Sequence, residues 1–207
     1  MNSTQWIMYA GFAFLCGAIP FSVWLGKLFQ GVDIRQYGDR NPGATNVYRA
    51  GNRHLALLVL LMDVSKAAAP VGIAYHSLGI RGAPMAVIAI APILGHVFSP
   101  FLKFHGGKGL ATALGVWIGL TIWKASSVAI VSVAFGLLVM MTPGWAIVIG
   151  LAGLFVAIMI WLPDPFLFTT WIGETIILLW THRQDLQQPP QFRSWINHLF
   201  STEQEGQ

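Results

Sequence analysis

Charge is what this chain has least of. Only 10% of its 207 residues are Asp, Glu, Lys or Arg, against 55% hydrophobic, whereas a soluble domain carries about 25% charged residues. With a mean hydropathy of +0.63, that composition marks an integral membrane protein. Cysteine is reduced to Cys16 alone, which lies in an apolar run and excludes both a disulfide framework and a cysteine-rich metal site. The histidines never fall into a His-x3-His spacing, so metal-assisted hydrolysis has no ligand set and no metal is expected. The N-terminus lacks a positive n-region and its apolar stretch continues to Phe29, so it reads as a retained helix and not a cleaved signal. No linker, low-complexity tract or long repeat divides the chain. The expectation is one integral membrane domain over residues 1–207, with a flexible or interfacial tail from about residue 187.

Seven apolar spans can be read, roughly 5–29, 55–78, 83–101, 110–124, 126–142, 145–162 and 165–181, giving an all-α polytopic fold with ordered loops. The fourth is short, and Pro20 interrupts the first, where a kink is expected against small neighbours. Trp117, Trp123, Trp145 and Trp161 fall where interfacial anchors belong. Gly115, Gly119, Gly136, Gly150 and Gly153 are read as close helix contacts.

The cations are unevenly shared. One side of the seven-span arrangement holds Lys27, Arg35, Arg40, Arg49, Arg53, Lys103, Lys108, Arg183 and Arg193, and the other only Arg81 and Lys124. The positive-inside rule puts the first group in the cytoplasm and the N-terminus outside. A net charge of +4 placed this way suits membrane orientation and an anionic substrate, not nucleic acid.

The densest polar signal is Gly95–Gly115. A helix stops at Ser99-Pro100, then Gly106-Gly107-Lys108-Gly109 leads into a new apolar helix. Glycines allow close backbone approach, and a helix start offers unpaired N–H groups, so the segment could receive a phosphate or carboxylate. It is not a Walker A loop, because Gly109 stands where Ser or Thr is needed. A second polar stretch runs from Asp33 to Arg49. Arg40 and Arg49 can grip a phosphate there, while Asn41, Thr45 and Asn46 can bind a polyol or cap a helix from about Ala44. Asp63 and Lys66 share a face of the second span and either pair structurally or bring Lys66 to a substrate. His96 reads as a general base or as a bond to a neighbouring helix. Glu174 lies in the last span, which ends in His182-Arg183-Gln184-Asp185. Beyond Pro189-Pro190, Phe192, Trp195, Leu199 and Phe200 suggest a membrane-hugging turn.

Taken together, Gly17-Ala18-Ile19-Pro20-Phe21, Asp33-Ile34-Arg35, Asn41 to Val47, Asp63-Val64-Ser65-Lys66, Gly95-His96, Gly106 to Thr112 and His182-Arg183 resemble the bacterial acyl-phosphate:glycerol-3-phosphate acyltransferases of the PlsY type. The resemblance implies a seven-span enzyme with a cytoplasmic active site in a bacterial inner membrane. It would transfer a fatty acyl group from acyl phosphate to the 1-hydroxyl of glycerol 3-phosphate, giving lysophosphatidic acid and phosphate without metal or nucleotide cofactor. By position it implies Lys108, Arg49, His96 and Asn41 as catalytic. Substrate contacts would come from Asp39, Arg40, Thr45, Asn46, Lys66, Gly106, Gly107, Gly109, Thr112, Thr142, His182 and Asp185. Acyl phosphate is already activated, so no serine or cysteine nucleophile is required and none is evident. Membrane lipids are the other implied partners, and a monomer is compatible with this reading.

The chain departs from the family pattern at three places. Asp39-Arg40 stands for the usual Ser-Gly, Asp185 for an asparagine, and Met140-Met141-Thr142-Pro143-Gly144 for Arg-Tyr-Val-Ser-Leu. The new carboxylates would repel a phosphate unless paired, Asp39 with Arg40 for instance. Two other readings stay open: a transporter or binding protein for a small phosphorylated anion, and a catalytically inactive relative. The soluble-faced acyltransferase signature His-x4-Asp is absent, since Phe101 stands five residues after His96 where the Asp is needed.

Overall fold

The computed structural model describes residues 3–196, and among them the chain is all-helical apart from an isolated bridge between Met140 and Phe192. The first span is two helices, α1 (Ser3–Ala18) and α2 (Phe21–Gln30), parted at Ile19-Pro20. Proline cannot donate to the ladder, so nearby carbonyls lose their partners. Neighbouring segments supply them: Ser99 Oγ donates to the Ala18 carbonyl at 2.6 Å and Lys66 Nζ to that of Ile19 at 2.9 Å. The expected kink is therefore a break held by the two segments that frame the polar end.

After a short α3 (Ala44–Arg49) comes α4 (Arg53–Gly72), started by Asn52, whose side chain accepts from the Leu55 amide, and prolonged by a wide turn over Ile73–Ser77. The chain continues through α5 (Gly82–Val97), a tight turn at Pro100–Leu102, α6 (Leu110–Thr121), α7 (Lys124–Val139), α8 (Pro143–Trp161), α9 (Pro165–Thr181) and a terminal turn, α10 (Arg183–Leu186). Four stretches are long and apolar enough to cross a membrane: Thr4–Gln30, Arg53–Ser77, Gly82–Leu102 and Pro143–Trp161. The helices α6, α7 and α9 are apolar but shorter. Seven apolar segments thus exist, but only four have spanning length among the described residues.

The helices pack most closely in the pairs α1 with α5, α4 with α6, and α7 with α8. Two of these contacts are backbone against backbone. A Cβ on Gly95 would lie 2.0 Å from the Phe14 carbonyl oxygen, and one on Gly115 would lie 2.1 Å from that of Val64. The main core gathers Met85, Ile88, Ile93, Val116, Leu154, Ile158 and Leu178. A smaller one joins Val23, Ile34, Val47, Leu55, Val59 and Leu102 at the polar end, and clamps the long first loop onto α2 and α4. Outward-facing Leu57, Leu61, Val131, Leu138, Ile160 and Ile176 remain exposed, as a lipid-facing surface requires.

One expectation is corrected here. Trp117 is not an interfacial anchor: it is wholly buried in mid-helix and donates its indole N–H to the buried carboxyl of Glu174, tying α6 to α9. The segment after Pro190, expected as a membrane-hugging turn, is tied to the end of α7 with Phe192 and Trp195 left about half exposed. The Met141 amide donates to the Gln191 carbonyl and the Arg193 amide to that of Val139, both at 2.9 Å, while Arg193 Nε caps the Leu137 carbonyl at the end of α7. Leu199 and Phe200 lie outside the described residues.

Candidate functional site

The break before Pro100 lets the chain turn back across the end of α5. The Gly106 amide donates to the Val97 carbonyl at 3.0 Å and the Gly107 amide to that of His96 at 3.1 Å. A Cβ on Gly106 would lie 1.9 Å from the His96 carbonyl oxygen, so only glycine fits. This corrects the expectation that both amides face a ligand: they fasten the loop to α5. Gly109 then opens α6 in the left-handed region (φ 90°) with no side-chain cap, leaving the positive end of that helix available. In its first turn, Thr112 is fully buried with a hydroxyl that has no hydrogen-bond partner among the described residues.

Three distant segments close on Lys108. From the first loop, Asn41 Oδ1 accepts from the Lys108 amide at 2.9 Å. From the end of α9, Thr181 Oγ1 donates to the Lys108 carbonyl at 2.9 Å. The ammonium itself meets Asp39 at 3.0 Å and Asp185 at 3.2 Å. Asp39 also lies 3.8 Å from Arg49 Nη1. Asn46, almost completely buried, is the hub beneath: its amide donates to Asp39 Oδ1 (3.0 Å) and to the Asn41 carbonyl (2.9 Å), and its oxygen accepts from Arg49 (3.1 Å). Gly38 makes room for the hub, since a Cβ there would meet Arg49 Nη1 at 2.1 Å. The side chains of Lys108, Asp39, Arg49 and Asp185 are between 26% and 50% exposed, so the cluster is an open surface and not an enclosed pocket.

Asp39 therefore does not pair with Arg40. Arg40 is exposed at a positive φ of 61° and makes no side-chain bond among the described residues. Burial works to raise the Asp39 pKa, but its bonds to Lys108 and Asn46 outweigh it and hold the carboxyl below its ordinary range. Burial likewise works to lower that of Lys108, and the two carboxylates more than reverse it. Burial pushes His182 below the ordinary imidazole range despite the Leu178 carbonyl, which accepts from its Nδ1 at 2.9 Å. A carbonyl only accepts, so Nδ1 carries the proton and Nε2 is an acceptor without a partner among the described residues.

Lys66 and His96 have different settings from those expected. The Lys66 ammonium is buried and its three donors reach Asp63 (2.7 Å), Ile19 (2.9 Å) and His96 Nδ1 (2.8 Å), leaving none for a substrate. Because an ammonium only donates, His96 Nδ1 accepts and Nε2 carries the ring proton, directed at Gly107. His96 is thus a donor beneath the loop, and its one basic nitrogen is occupied. Thr45 is exposed without a side-chain partner among the described residues, and Thr142 opens α8 without capping it. Two residues on, Gly144 packs on Asp185: a Cβ there would lie 2.7 Å from that of Asp185. Thr181 and Ser99, which hold the loop and the helix break, are the residues that sequence reading missed. Their only signal was adjacency to His182 and Pro100.

Comparison with known proteins gives the family and the fold. A family described as glycerol-3-phosphate acyltransferase matches residues 7–189. A protein of that name from Herminiimonas arsenicoxydans is 33% identical over 183 residues, 87% of this chain and 89% of the relative. One from Anaeromyxobacter dehalogenans (strain 2CP-1 / ATCC BAA-258) is 45% identical over 130 residues, covering 60% of this chain and 64% of the relative's length. Among solved structures, PlsY (YgiH), an integral membrane glycerol 3-phosphate acyltransferase, superposes in its glycerol 3-phosphate form with a TM-score of 0.79. The identity is 28%, over 95% of this chain and 99% of that one. Its lysophosphatidic acid form gives 0.78 at 29% identity, over 88% and 90%.

Proposed function

The chain belongs to the glycerol-3-phosphate acyltransferase family, and from that premise we propose that it moves a fatty acyl group from an acyl phosphate to the 1-hydroxyl of glycerol 3-phosphate. The products are lysophosphatidic acid and phosphate. The observation that carries the reading is the convergence of Asn41, Arg49, Lys108 and His182 at one open end of the helical assembly. Two phosphate-bearing reactants need cations on an accessible surface, and Lys108 and Arg49 share Asp39 there. The uncapped start of α6 suits a phosphate oxygen.

The acyl phosphate is a mixed anhydride, so catalysis is chiefly alignment and charge stabilisation. Lys108 and Arg49 hold the anionic heads. The acceptor hydroxyl attacks the acyl carbon, the bond to phosphate breaks, and the departing phosphate takes the proton. His182, neutral with Nε2 bare, orients the hydroxyl. Asn41 fixes the Lys108 backbone, and Asn46 fixes Arg49 and Asp39. Lys66, His96, Gly106 and Gly107 support the loop from below without touching substrate. The acyl tail lies along the apolar helix surfaces. The charge count supports a cytoplasmic position for this end with the N-terminus outside, and the family resemblance supports a bacterial inner membrane.

The test is purified protein in detergent with palmitoyl phosphate and glycerol 3-phosphate, following phosphate release and identifying the lipid product by mass. Lysophosphatidic acid should form in step with phosphate. Lys108→Ala and Arg49→Ala should each lower the rate at least 100-fold, and Lys124→Ala, exposed at the opposite end of α6, should not. Acyl phosphate left intact by the wild-type protein, or a Lys108→Ala variant as active as wild type, would refute the assignment.

A further inference from the structure

The side chains around the Lys108 ammonium sum to no net charge. Lys108 and Arg49 supply two positive charges, Asp39 and Asp185 two negative ones, and the contacts at 3.0, 3.2 and 3.8 Å pair them off. His182 beside them is buried and bonded through Nδ1 to Leu178, in keeping with a neutral ring. Arg40, next in sequence, is exposed with no bond into the cluster among the described residues, and Arg183 turns away to the Trp180 carbonyl and ring.

A site that selects a phosphorylated acceptor does so with cations that have nothing else to hold. Here the first anion to arrive must draw Lys108 and Arg49 from the carboxylates, and a second anion meets two carboxylates with neither of the cluster's own cations left over, Arg40 making no bond into it among the described residues. Carboxylates are pure acceptors and bind hydroxyl groups well. Asp39 and Asp185 come from opposite sides, one on the first loop and one on α10, and both remain open to solvent. A vicinal diol set between them could donate to each while Lys108 and Arg49 keep the donor's phosphate.

Resting on the transferase reading above, we propose a further activity at this site: acyl transfer from acyl phosphate to an uncharged polyol of glycerol type, giving a monoacylglycerol and phosphate. The polyol oxygen bonds to the acyl carbon, the carbon–oxygen bond to phosphate breaks, and the hydroxyl proton leaves on the phosphate. Asp39 and Asp185 are then specificity-determining residues, weakening discrimination for the acceptor's phosphate and receiving its hydroxyls.

The experiment compares glycerol with glycerol 3-phosphate as acceptor for palmitoyl phosphate, scoring each ester by mass. With wild-type protein the two kcat/KM values should lie within about 10-fold of each other. In Asp39→Asn/Asp185→Asn, of nearly the same shape, the ratio should move at least 100-fold toward glycerol 3-phosphate. A wild-type preference for glycerol 3-phosphate above 10,000-fold, or a ratio unmoved by the double substitution, overturns this inference and leaves the transferase standing. Palmitoyl phosphate untouched with either acceptor overturns both. If the double variant loses its fold, the wild-type ratio alone decides.

Discussion

Asp33 gives the plainest pH signature of any single residue. Its carboxyl is held down to about 2, first by side-chain hydrogen bonds from Arg35 and then by charge from Arg35 and Lys27, against the opposing effect of burial. A depressed folded-state pKa means that the stabilisation is complete above the unfolded value near 4 and is lost as pH falls toward 2. Thermal midpoints in detergent should therefore drop across that window in wild type, and Asp33→Asn should lower the plateau and flatten the drop. Lys66 is the opposite case, a buried charge with every donor engaged. Lys66→Met should strand the Asp63 carboxylate and cost about 3–5 kcal/mol. Adding Asp63→Leu should recover much of that loss, measured by chemical unfolding in detergent. If Lys66 instead acted on substrate, Lys66→Met would abolish turnover with stability unchanged.

Helices here are placed by what they lack at their contacts. Gly115 on α6 meets the α4 backbone at Val64, so Gly115→Val should force the two helices apart and cost about 1–3 kcal/mol. Because α6 begins at Leu110, just beyond Lys108, the same substitution should lower kcat more than it raises KM for glycerol 3-phosphate. Wild-type kcat in a destabilised Gly115→Val variant would show that α6 does not set the lysine. Much of this level was legible beforehand. Apolar runs gave the helices, Pro20 and Ser99-Pro100 the breaks, and the glycines the close contacts. Trp117 was misread because hydropathy cannot tell an indole at a lipid interface from one donating to a buried carboxyl. The glycine loop was misread for a related reason: its composition announces close approach, but not whether the approach is to a ligand or to the carbonyls of His96 and Val97.

At the scale of the whole molecule, convergence was legible and its local pairing was not. Uneven charge put Arg49, Lys108 and Arg183 on one face, and the motifs that resemble the family named the residues that gather there. Nothing in the sequence showed that Asp39 would leave its neighbour Arg40 to meet Lys108, 69 positions on, or that Asp185 would arrive from the other side. Such pairings depend on Gly38, Asn46 and Thr181, which shape the loops without carrying charge. The account rests on these segments meeting across Lys108 where the substrates bind. The most direct measurement is crosslinking of Asp39→Cys/Asp185→Cys in a Cys16→Ala background with a short bifunctional maleimide, mapped by peptide mass, with and without glycerol 3-phosphate and palmitoyl phosphate. The expected result is rapid joining of the first loop to the segment after α9, slowed several-fold by substrates. No crosslink, or one formed at the same rate whether or not substrates are present, would contradict it.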